Sequence, residues 1–263
     1  MKFYARNIFN MNVYISVVSH GHQCMIKNIH CLPDLAKKYK VVVKENSERY
    51  RSGFDVFCLE NNIDYIDDKK NLGFGENNNL IFKYIQDKFN PKDNDLFIVL
   101  NPDVLITCEE IEKIISLHDQ YHFKLAGINL FTDENFTIHD KGIRHYPVLS
   151  DFFKSFFLGK NDTVINRKEV NDIAYVDWLA GSFMIFEVSH YANLKGFDER
   201  YFMYCEDIDI CYRSTKKNIK PLYLPMVKAV HYAQYNNRKI FSRHFFWHIK
   251  SILIFTIKKM IIK

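Results

Sequence analysis

Two runs of β-branched residues with a helical segment between them limit the folds open to this chain. Val13 to Ser19 and Lys40 to Val43 predict buried strands. Cys24 to Lys38 predicts the helix, with Pro33 either breaking it or opening a second one. Strand, helix and strand at this spacing form a βαβ unit, whose strands pair in parallel. The sequence therefore predicts an α/β fold with a mixed, mainly parallel sheet flanked by helices.

Polar residues follow both strands at the edge where such sheets bind ligands. Ser19 and His20 end the first strand, and Glu45 and Asn46 follow the second. Because ligands bind beyond the carboxyl ends of parallel strands, we place these residues on the binding rim. There Glu45 can accept hydrogen bonds from a nucleobase or ribose; the alternative is an ordinary solvated loop position.

A glycine-rich turn follows the third predicted strand, Tyr65 to Asp67. Within Asn71 to Asn79, Gly73 and Gly75 flank one aromatic residue, which allows positive φ angles and close approach of the backbone. The apolar spacing of Leu80 to Phe89 predicts a helix directly after it. Such a turn can receive a phosphate. A plain turn is the simpler interpretation, because neither the GxGxxG nor the P-loop pattern is present.

The strongest predicted strand, Asp95 to Leu100, ends at the turn Asn101-Pro102-Asp103. A charge directly after a buried strand needs a reason, and a carboxylate there can hold a divalent cation through oxygen ligands. We favour a metal site at Asp103 over a turn-forming role. Further strands are predicted at Leu125 to Phe131, at Tyr175 to Phe186 and, as two short strands, at Pro221 to Leu224 and Val227 to Tyr232. His231 lies at the end of the last one, and neutral imidazole can join a carboxylate around a cation. A core histidine is the alternative for His231.

An acidic cluster lies among apolar residues in the second half of the chain. Glu206, Asp207 and Asp209 fall within Tyr201 to Arg213, where most other residues are aromatic or apolar. Carboxylates beside an apolar wall have raised or split pKa values, which suits a general base. The alternative is that Glu206 and Asp207 occupy the first turn of a helix and only favour its dipole.

Charge is distributed unevenly along the chain. Ile210 to Lys263 contains 12 Lys and Arg and no Asp or Glu. Because the whole chain has a net charge of +5, residues 1–209 have a net charge of −7. This division indicates an anionic partner near the C-terminus, either nucleic acid or a membrane surface. The tail from Ile240 onwards predicts a basic helix with aromatic residues, which fits a helix lying on anionic lipid or packing on the body.

Several classes are disfavoured by the sequence. The acidic body contains no basic RNP-like or helix-turn-helix-like segment, which argues against nucleic acid as the partner. No apolar run approaches the length of a transmembrane helix, and the first ten residues lack the apolar region of a secretory signal. The six cysteines form no CxxC pair, which is typical of reduced thiols in a cytosolic protein.

Taken together, these motifs resemble the family-2 glycosyltransferases with a GT-A (Rossmann-like) fold, and among them the bacterial rhamnosyltransferases of O-antigen, lipopolysaccharide and cell-wall polysaccharide assembly. The stretches that carry the resemblance follow the family's order over almost the whole chain: Val18 to His22, Asn71 to Asn79, Leu100 to Val104, Asp177 to Phe183, Gly196 to Glu199 with Tyr201 to Arg213, and Ala229 to Tyr232. The combination is specific, whereas no single motif is.

The resemblance implies one catalytic domain, 1–239, followed by a basic aromatic helix, 240–263. Residues from about 11 to 104 would bind the nucleotide, and residues from about 105 to 239 would supply acceptor binding and catalysis. The implied reaction moves L-rhamnose from dTDP-β-L-rhamnose to N-acetylglucosamine on a polyprenyl diphosphate carrier. The implied place is the cytoplasm, peripherally at the inner face of the cytoplasmic membrane.

The resemblance also implies roles for individual residues. Asp103 stands in the family's DxD position and would hold Mg²⁺ or Mn²⁺ on the donor diphosphate with His231, while Asn101 replaces the usual first Asp. The pair Glu206-Asp207 matches the family's catalytic ED motif, so Asp207 would be the general base and Glu206 its support. The residues implied for the nucleotide sugar are Ser19, His20, Glu45, Asn46, Gly73, Gly75, Asn77, Asn101 and Arg213. Those implied for the acceptor are Trp178, Gly181 and Ser182.

Two alternatives stay open. The same fold can use another nucleotide sugar, because these motifs do not identify the donor. A non-catalytic nucleotide-sugar-binding protein is the second, and the missing carboxylate at Asn101 is the feature that supports it.

Overall fold

The computed structural model describes residues 11–48, 53–148, 151, 163–165, 170–232 and 243–261. Its strands are β1 (Val13–Ser19), β2 (Lys40–Glu45), β3 (Asp64–Ile66), β4 (Leu96–Leu100), β5 (Val104–Leu105), β6 (Leu125–Phe131), β7 (Ile143–Arg144), β8 (Ala174–Tyr175), β9 (Trp178–Leu179), β10 (Phe183–Glu187) and β11 (Leu222–His231). Its helices are α1 (Gln23–Ile29), α2 (Cys31–Ala36), α3 (Phe54–Glu60), α4 (Phe74–Phe89), α5 (Cys108–Tyr121), α6 (Val188–Asn193), α7 (Glu206–Lys216) and α8 (Arg243–Ile261).

The central sheet is mixed and mainly parallel in its first half, as predicted. Its strand order is β3-β2-β1-β4-β10-β6-β11-β5, and β8 also pairs with β11. Strands β3, β2, β1 and β4 are parallel, β10 runs antiparallel between β4 and β6, and β6 and β11 are parallel again. Strands β7 and β9 form a separate two-stranded sheet.

Helices cover both faces of the sheet. Neighbouring strand residues point to opposite faces, so Ile98 packs in one core and Val99 in the other. The first core includes residues of α1, α2, α3 and α5, and the second includes residues of α4, α6, α7 and α8. Burial on both faces explains why β4 reads as a continuous apolar run in the sequence.

Three predicted elements are divided differently in the structure. The break in the first helix comes at His30, whose φ is 56°, and Pro33 lies within the first turn of α2. The predicted strand from Tyr175 to Phe186 is three short strands with different partners. The two predicted late strands are one strand, β11, with a register shift between Leu224 and Lys228, because Pro225 cannot donate to the ladder.

The C-terminal helix packs on the body. Ser251, Ile252 and Phe255 of α8 are buried against the core that α7 shares. The ends of the predicted tail, 240–242 and 262–263, lie outside the described residues. No helix in the described ranges combines the length and apolar character needed to cross a membrane.

The strand directions gather the predicted site residues at one edge. Strands β1, β2, β4, β6 and β11 all end there, and the antiparallel β10 begins there. Five candidate site residues of the sequence lie at these strand ends. Ser19, Glu45 and His231 are the last residues of their strands, Asn101 follows β4, and Ser182 precedes β10.

Candidate active site

Hydrogen bonds connect the two halves of the candidate site. The backbone N–H of Asn101 donates to the carbonyl oxygen of Ser182 at 3.0 Å. The neighbouring N–H of Gly181 donates to Asp207 Oδ2 at 3.1 Å. The predicted metal residue Asp103 and the predicted base Asp207 therefore belong to one continuous rim, although 104 positions separate them in the sequence.

His231 lies between two carboxylates. Its Nδ1 is 2.8 Å from Asp140 Oδ2, and its Nε2 is 3.4 Å from Asp103 Oδ1. Burial by itself lowers the pKa of His231, but the two carboxylates outweigh burial and raise this pKa to about 9. The imidazole is then protonated at neutral pH and pairs with both carboxylates. Asp140 is a partner of His231 that sequence reasoning missed, and the role of His231 as a metal ligand stays a prediction.

Asp103 by itself fits a divalent cation. Its side chain is 18% exposed, and within the described part of the chain its Oδ1 accepts no hydrogen bond. Carboxylate oxygens are the ligands that Mg²⁺ and Mn²⁺ prefer. Among the described residues, no group of three or more His, Cys, Asp or Glu could hold a metal ion. Oxygens of a bound diphosphate would have to complete the coordination of an ion at Asp103.

The Glu45 carboxylate organises the loop after β1. Its Oε2 accepts hydrogen bonds from Ser19 Oγ at 2.7 Å and Gln23 Nε2 at 3.0 Å. Its Oε1 accepts from the backbone N–H groups of Gly21 at 3.0 Å and Ser47 at 2.8 Å. Glu45 is only 1% exposed, and two donors on each oxygen use its acceptor capacity. Glu45 is therefore no solvated loop residue, and it shapes the rim without presenting the free acceptor that we predicted for a nucleotide.

His22 joins this rim, and sequence reasoning missed it. Burial lowers the pKa of His22, while the charges of Asp103 and Glu45 act to raise it, because all three groups lie near one another. The backbone N–H of His20 donates to His22 Nδ1 at 3.0 Å, and His20 itself is exposed. The histidine pair around Gly21 was the available signal for this residue.

The two glycines of the turn are packing glycines. Neither Gly73 nor Gly75 has the positive φ that we predicted. A Cβ at Gly73 would lie 2.7 Å from the carbonyl oxygen of Phe202, and one at Gly75 would lie 2.6 Å from Phe197 Cβ. The N–H of Phe74 donates to the same Phe202 oxygen at 2.9 Å. The turn is thus held against the segment that leads into α7, and any contact of these glycines with a nucleotide stays a prediction.

Two asparagines hold the same turn. Asn46 Nδ2 donates to the carbonyl oxygen of Leu72 at 2.8 Å, and the N–H of Leu72 donates to Asn46 Oδ1 at 2.9 Å. Asn77 Nδ2 donates to the carbonyl oxygen of Gly73 at 2.8 Å. Asn77 is fully buried, so in this structure it has no surface for a nucleotide to touch, which differs from its predicted role. Contact between Asn46 and a bound nucleotide stays a prediction.

A strained turn presents the acidic pair at the start of α7. Tyr204 and Cys205 have φ angles of 71° and 64°, in the left-handed region that non-glycine residues rarely adopt. Such conformations cost on the order of 1–3 kcal/mol each and concentrate at functional sites. Glu206 and Asp207 then occupy the first helical turn, as the dipole interpretation required. The next observation distinguishes the two members of the pair.

The carboxyl groups of Glu206 and Asp207 differ in their burial and in their hydrogen-bond partners. Glu206 is 7% exposed, and within the described residues its Oε2 has no hydrogen-bond partner. Burial and then the charge of Asp207 raise the pKa of Glu206 well above its usual range. Burial also raises the pKa of Asp207, but the N–H groups of Gly181 and Ile208 and the charge of Arg144 oppose that rise. We therefore assign the proton of the pair to Glu206 and the negative charge to Asp207.

Asp209 and Arg213 belong to a buried ion network and not to the ligand-binding rim. Arg213 Nε is 2.7 Å from Asp209 Oδ2, and its other nitrogens donate to the carbonyl oxygens of Leu194 at 2.5 Å and Gly196 at 2.8 Å. Lys258 Nζ of α8 lies 2.5 Å from Asp209 Oδ1. Arg213 stands in the last turn of α7, with its guanidinium used by the chain itself. This corrects the prediction that Arg213 contacts the nucleotide sugar.

A cleft of about 240 Å³ lies beside the acidic pair. Residues lining it include Arg144, Trp178, Ala180, Glu206, Asp207 and His248. The guanidinium carbon of Arg144 is 4.8 Å from the centre of a Trp178 ring, which is a cation–π distance. The Trp178 indole N–H lies close enough to Asp207 to lower its pKa, without a hydrogen bond of regular geometry.

Two cleft residues, Arg144 and His248, were missed by sequence reasoning because neither belongs to a recognisable motif. Burial lowers the pKa of His248 to about 4, so this α8 side chain is neutral at physiological pH. Of the residues predicted for the acceptor, Trp178 lines the cleft and Gly181 holds Asp207. Ser182 Oγ is buried, and no described group bonds to it.

Comparisons with known proteins identify relatives of the chain. The chain is 38% identical over 254 residues to rhamnosyltransferase WbbL of Escherichia coli K12, covering 95% of this chain and 94% of that protein. Over 80 residues, 30% of this chain and 26% of the relative, it is 36% identical to the N-acetylglucosaminyl-diphospho-decaprenol L-rhamnosyltransferase of Mycobacterium tuberculosis. No protein-family model matches the chain.

Solved structures agree on the fold. The crystal structure of GalNAc-T7 with UDP, GalNAc and Mn²⁺ superposes with a TM-score of 0.59, covering 87% of this chain and 46% of that one. The sequence identity is 11%, so this likeness concerns the fold alone. The similarity to GalNAc-T7 therefore agrees with the GT-A fold that the sequence predicted.

Proposed function

The chain belongs to the family-2 glycosyltransferases of GT-A fold that include the rhamnosyltransferase WbbL, and from that premise we propose that it transfers L-rhamnose from dTDP-β-L-rhamnose to a lipid-linked N-acetylglucosamine diphosphate. The relative from Mycobacterium tuberculosis has a name that states such an acceptor, which supports this choice. The proposed setting is O-antigen or related polysaccharide assembly, with the enzyme in the cytoplasm at the inner face of the membrane that carries the acceptor.

The observation that carries the proposal is the unequal environment of the acidic pair. Glu206 is buried, and its Oε2 has no hydrogen-bond partner among the described residues, whereas Asp207 borders the cleft and accepts hydrogen bonds from two backbone N–H groups. A general base must be ionised and within reach of the acceptor hydroxyl. Asp207 meets the first requirement because Glu206 takes the proton of the pair, and its position on the cleft wall supports the second.

The proposed reaction is a single displacement at the anomeric carbon of the donor. Asp207 removes the proton from the acceptor hydroxyl as that oxygen forms its bond to the anomeric carbon. The bond from this carbon to the diphosphate oxygen breaks at the same time, and dTDP departs with the bonding electrons. Attack from the opposite face inverts the configuration, so the β-L donor gives an α-L-rhamnoside.

Donor binding is assigned to the rim formed by β1, β2 and β4. Asp103 would hold Mg²⁺ or Mn²⁺, which when bound neutralises charge on the departing diphosphate. His231 orients the Asp103 carboxylate through its contact at 3.4 Å. Asn101 stands where the family has its first Asp, so Asp103 supplies the only carboxylate of that motif. His20, which is exposed, would border the space for the nucleotide, whereas Ser19 is fully buried and donates its hydroxyl to Glu45.

Acceptor binding is assigned to the cleft beside Asp207. Its volume of about 240 Å³ falls just below the roughly 300–1,000 Å³ typical of small-molecule pockets. This size suits one sugar unit, with the rest of the acceptor outside. Trp178 offers an apolar wall, and Arg144 offers a cation whose planar guanidinium suits a phosphate group.

A transfer assay with a panel of donors tests the proposal. The purified protein, Mg²⁺ and a lipid-linked N-acetylglucosamine acceptor are incubated with dTDP-rhamnose or with UDP-sugars, and products are identified by mass spectrometry. Transfer from dTDP-rhamnose alone supports the proposal. Transfer only from a UDP-sugar supports the alternative donor. UDP-sugars are included because the structure of GalNAc-T7 contains UDP. Nucleotide binding without any transfer would support the non-catalytic alternative and overturn the proposal.

A further inference from the structure

The C-terminal helix α8 has two apolar faces, one of which is exposed. Ile252 and Phe255 on the inner face are 8% and 1% exposed. The outer stripe, as we call the second face, consists of Phe246, Ile249, Leu253, Ile257 and Met260, which are 39–66% exposed. These five positions follow one another at intervals of three or four residues, which places them along one side of a helix. The apolar residues of this helix therefore form two stripes, one buried and one exposed.

The inner face is fixed to the segment that carries the acidic pair. Lys258 Nζ lies 2.9 Å from Asp198 Oδ2, and its contact with Asp209 joins the same network. Ser251 Oγ donates to the carbonyl oxygen of Met203 at 2.9 Å. The rings of Trp247 and Phe202 are 4.6 Å apart. These contacts set the rotation of the helix about its axis, so the outer stripe faces away from the body.

The charges near the outer stripe are positive. Arg243 and Lys250 of α8 are exposed, and no Asp or Glu occurs from Ile210 to the end of the chain. An apolar stripe with basic neighbours is the pattern of a helix that lies in the interfacial layer of an anionic membrane. A second copy of the chain is disfavoured as the occupant, because packing stripe on stripe would bring these cations together.

We propose that the outer stripe is a membrane-docking face, which inserts at the surface of a bilayer containing anionic lipid. The helix would lie along that surface, with its inner face still packed on the body. Because Phe246 and Met260 are 14 residues apart, the stripe extends about 21 Å along the helix axis. This extent would be in the plane of the membrane.

Docking would bring the acceptor cleft to the lipid surface. The same helix contributes His248 to the cleft that Asp207 lines, and an α-helix with its side chains is about 10–12 Å across. The cleft would then lie within roughly one helix diameter of the bilayer, where the diphosphate of a lipid-linked acceptor is found. This last step rests on the proposed function, whereas the docking itself does not.

Vesicle binding by the full chain tests the proposal without any donor or acceptor. Wild-type protein is sedimented with vesicles of phosphatidylglycerol and phosphatidylcholine, and with vesicles of phosphatidylcholine alone. We expect binding to the anionic vesicles that weakens as salt is added, because salt screens the lysine and arginine charges. The double variant Leu253→Glu, Ile257→Glu should bind at least about tenfold more weakly, because it places two charges where apolar side chains enter the lipid.

A matched control is available on the opposite part of the chain. Leu59 on α3 is 79% exposed, and Leu59→Glu adds a carboxylate to an exposed apolar site outside the stripe. This variant should bind vesicles as the wild type does. Thermal unfolding checks that all variants are folded, and the single variant Ile257→Gln serves if the double variant is not.

Three results would overturn the proposal. The first is no binding of wild-type protein to either vesicle, and the second is unchanged binding of the double variant. The third is a wild-type dimer in light scattering that the double variant dissociates, since the stripe would then join two copies. An assay of transfer to a water-soluble acceptor distinguishes membrane docking from the proposed function. A double variant that loses vesicle binding but retains this transfer activity supports docking. Absence of transfer activity in the wild type and in all variants would count against the proposed function alone.

Discussion

The backbone N–H of Gly181 donates a hydrogen bond of 3.1 Å to the side chain of Asp207. This contact joins the loop before β10 to the first turn of α7, and it stabilises the ionised form of Asp207 against the effect of burial. Sequence motifs that are far apart in the chain therefore act on one carboxyl group.

Arg144 should set the acidic limb of the pH profile. Burial raises the pKa of Asp207, and the charge of Arg144 is among the contacts that lower it. A general base works only above its own pKa, so Arg144→Gln should raise that pKa and move the loss of activity on acidification to a higher pH. The measurement is kcat/KM as a function of pH. Lys141→Gln, which removes an exposed cation of the same loop, should leave the limb in place.

Gly75 should not accept a side chain. In a helix interior Ala is normally favoured over Gly by about 1 kcal/mol. A Cβ at Gly75, however, would meet Phe197 Cβ at 2.6 Å, so Gly75→Ala should destabilise the fold by about 1–3 kcal/mol and lower activity. Gly181→Ala is the control for stability, because a Cβ there meets nothing closer than 3.4 Å. Urea denaturation measures both; equal stability of the two variants would contradict the packing argument.

Lys258 should be essential for the attachment of α8. It pairs with Asp198 and with Asp209, whose side chain is fully buried. Removing one member of a buried ion pair typically costs about 3–5 kcal/mol, so Lys258→Met should destabilise the protein by an amount near that range. Lys250→Met at an exposed position of the same helix should change the free energy of unfolding by less than about 0.5 kcal/mol. A similar effect of both changes in chemical denaturation would show that the network contributes nothing specific.

Asp103 should link nucleotide binding to a divalent cation. Titration calorimetry of the wild type with dTDP should show tighter binding when Mn²⁺ is present, since the ion would connect the carboxylate to the diphosphate. Asp103→Asn should lose this gain and retain the weaker binding without metal. Asp172→Asn, an exposed carboxylate at the other end of the sheet, should behave as the wild type. A Mn²⁺ effect that persists in Asp103→Asn would place the ion elsewhere.

Regular elements were predictable where one local signal dominates. Strands β1 and β6 have the predicted bounds, because their β-branched and apolar runs are buried on both sides of the sheet. The edge that gathers the site was predictable too, since parallel strands end together. These inferences need only the order of elements along the chain.

Contacts between distant residues were not predictable. Glu45 was expected to receive a nucleotide, but donors from two loops fill its oxygens, and only the fold brings those loops together. Arg213 follows a catalytic motif in sequence, but the helix turns its guanidinium to the carbonyls of Leu194 and Gly196. Likewise, the two faces of α8 became distinct only when its packing was known.

The central claim is that Asp207 is the general base and that Glu206 holds the proton of the pair. The matched variants are Asp207→Asn and Glu206→Gln, each of which replaces a carboxyl group by an amide of nearly the same shape. Glu206→Gln mimics a group that is already neutral, so we expect its kcat to stay within about tenfold of the wild type. Asp207→Asn removes the base, so we expect a loss of about 10²- to 10⁴-fold.

The most direct measurement is the rate of rhamnosyl transfer under single-turnover conditions at neutral pH, with donor binding by each variant measured in parallel. Both variants should bind the donor as the wild type does, and only Asp207→Asn should lose transfer. Full transfer by Asp207→Asn, or an equal loss in both variants, would contradict the assignment of base and proton to these two residues.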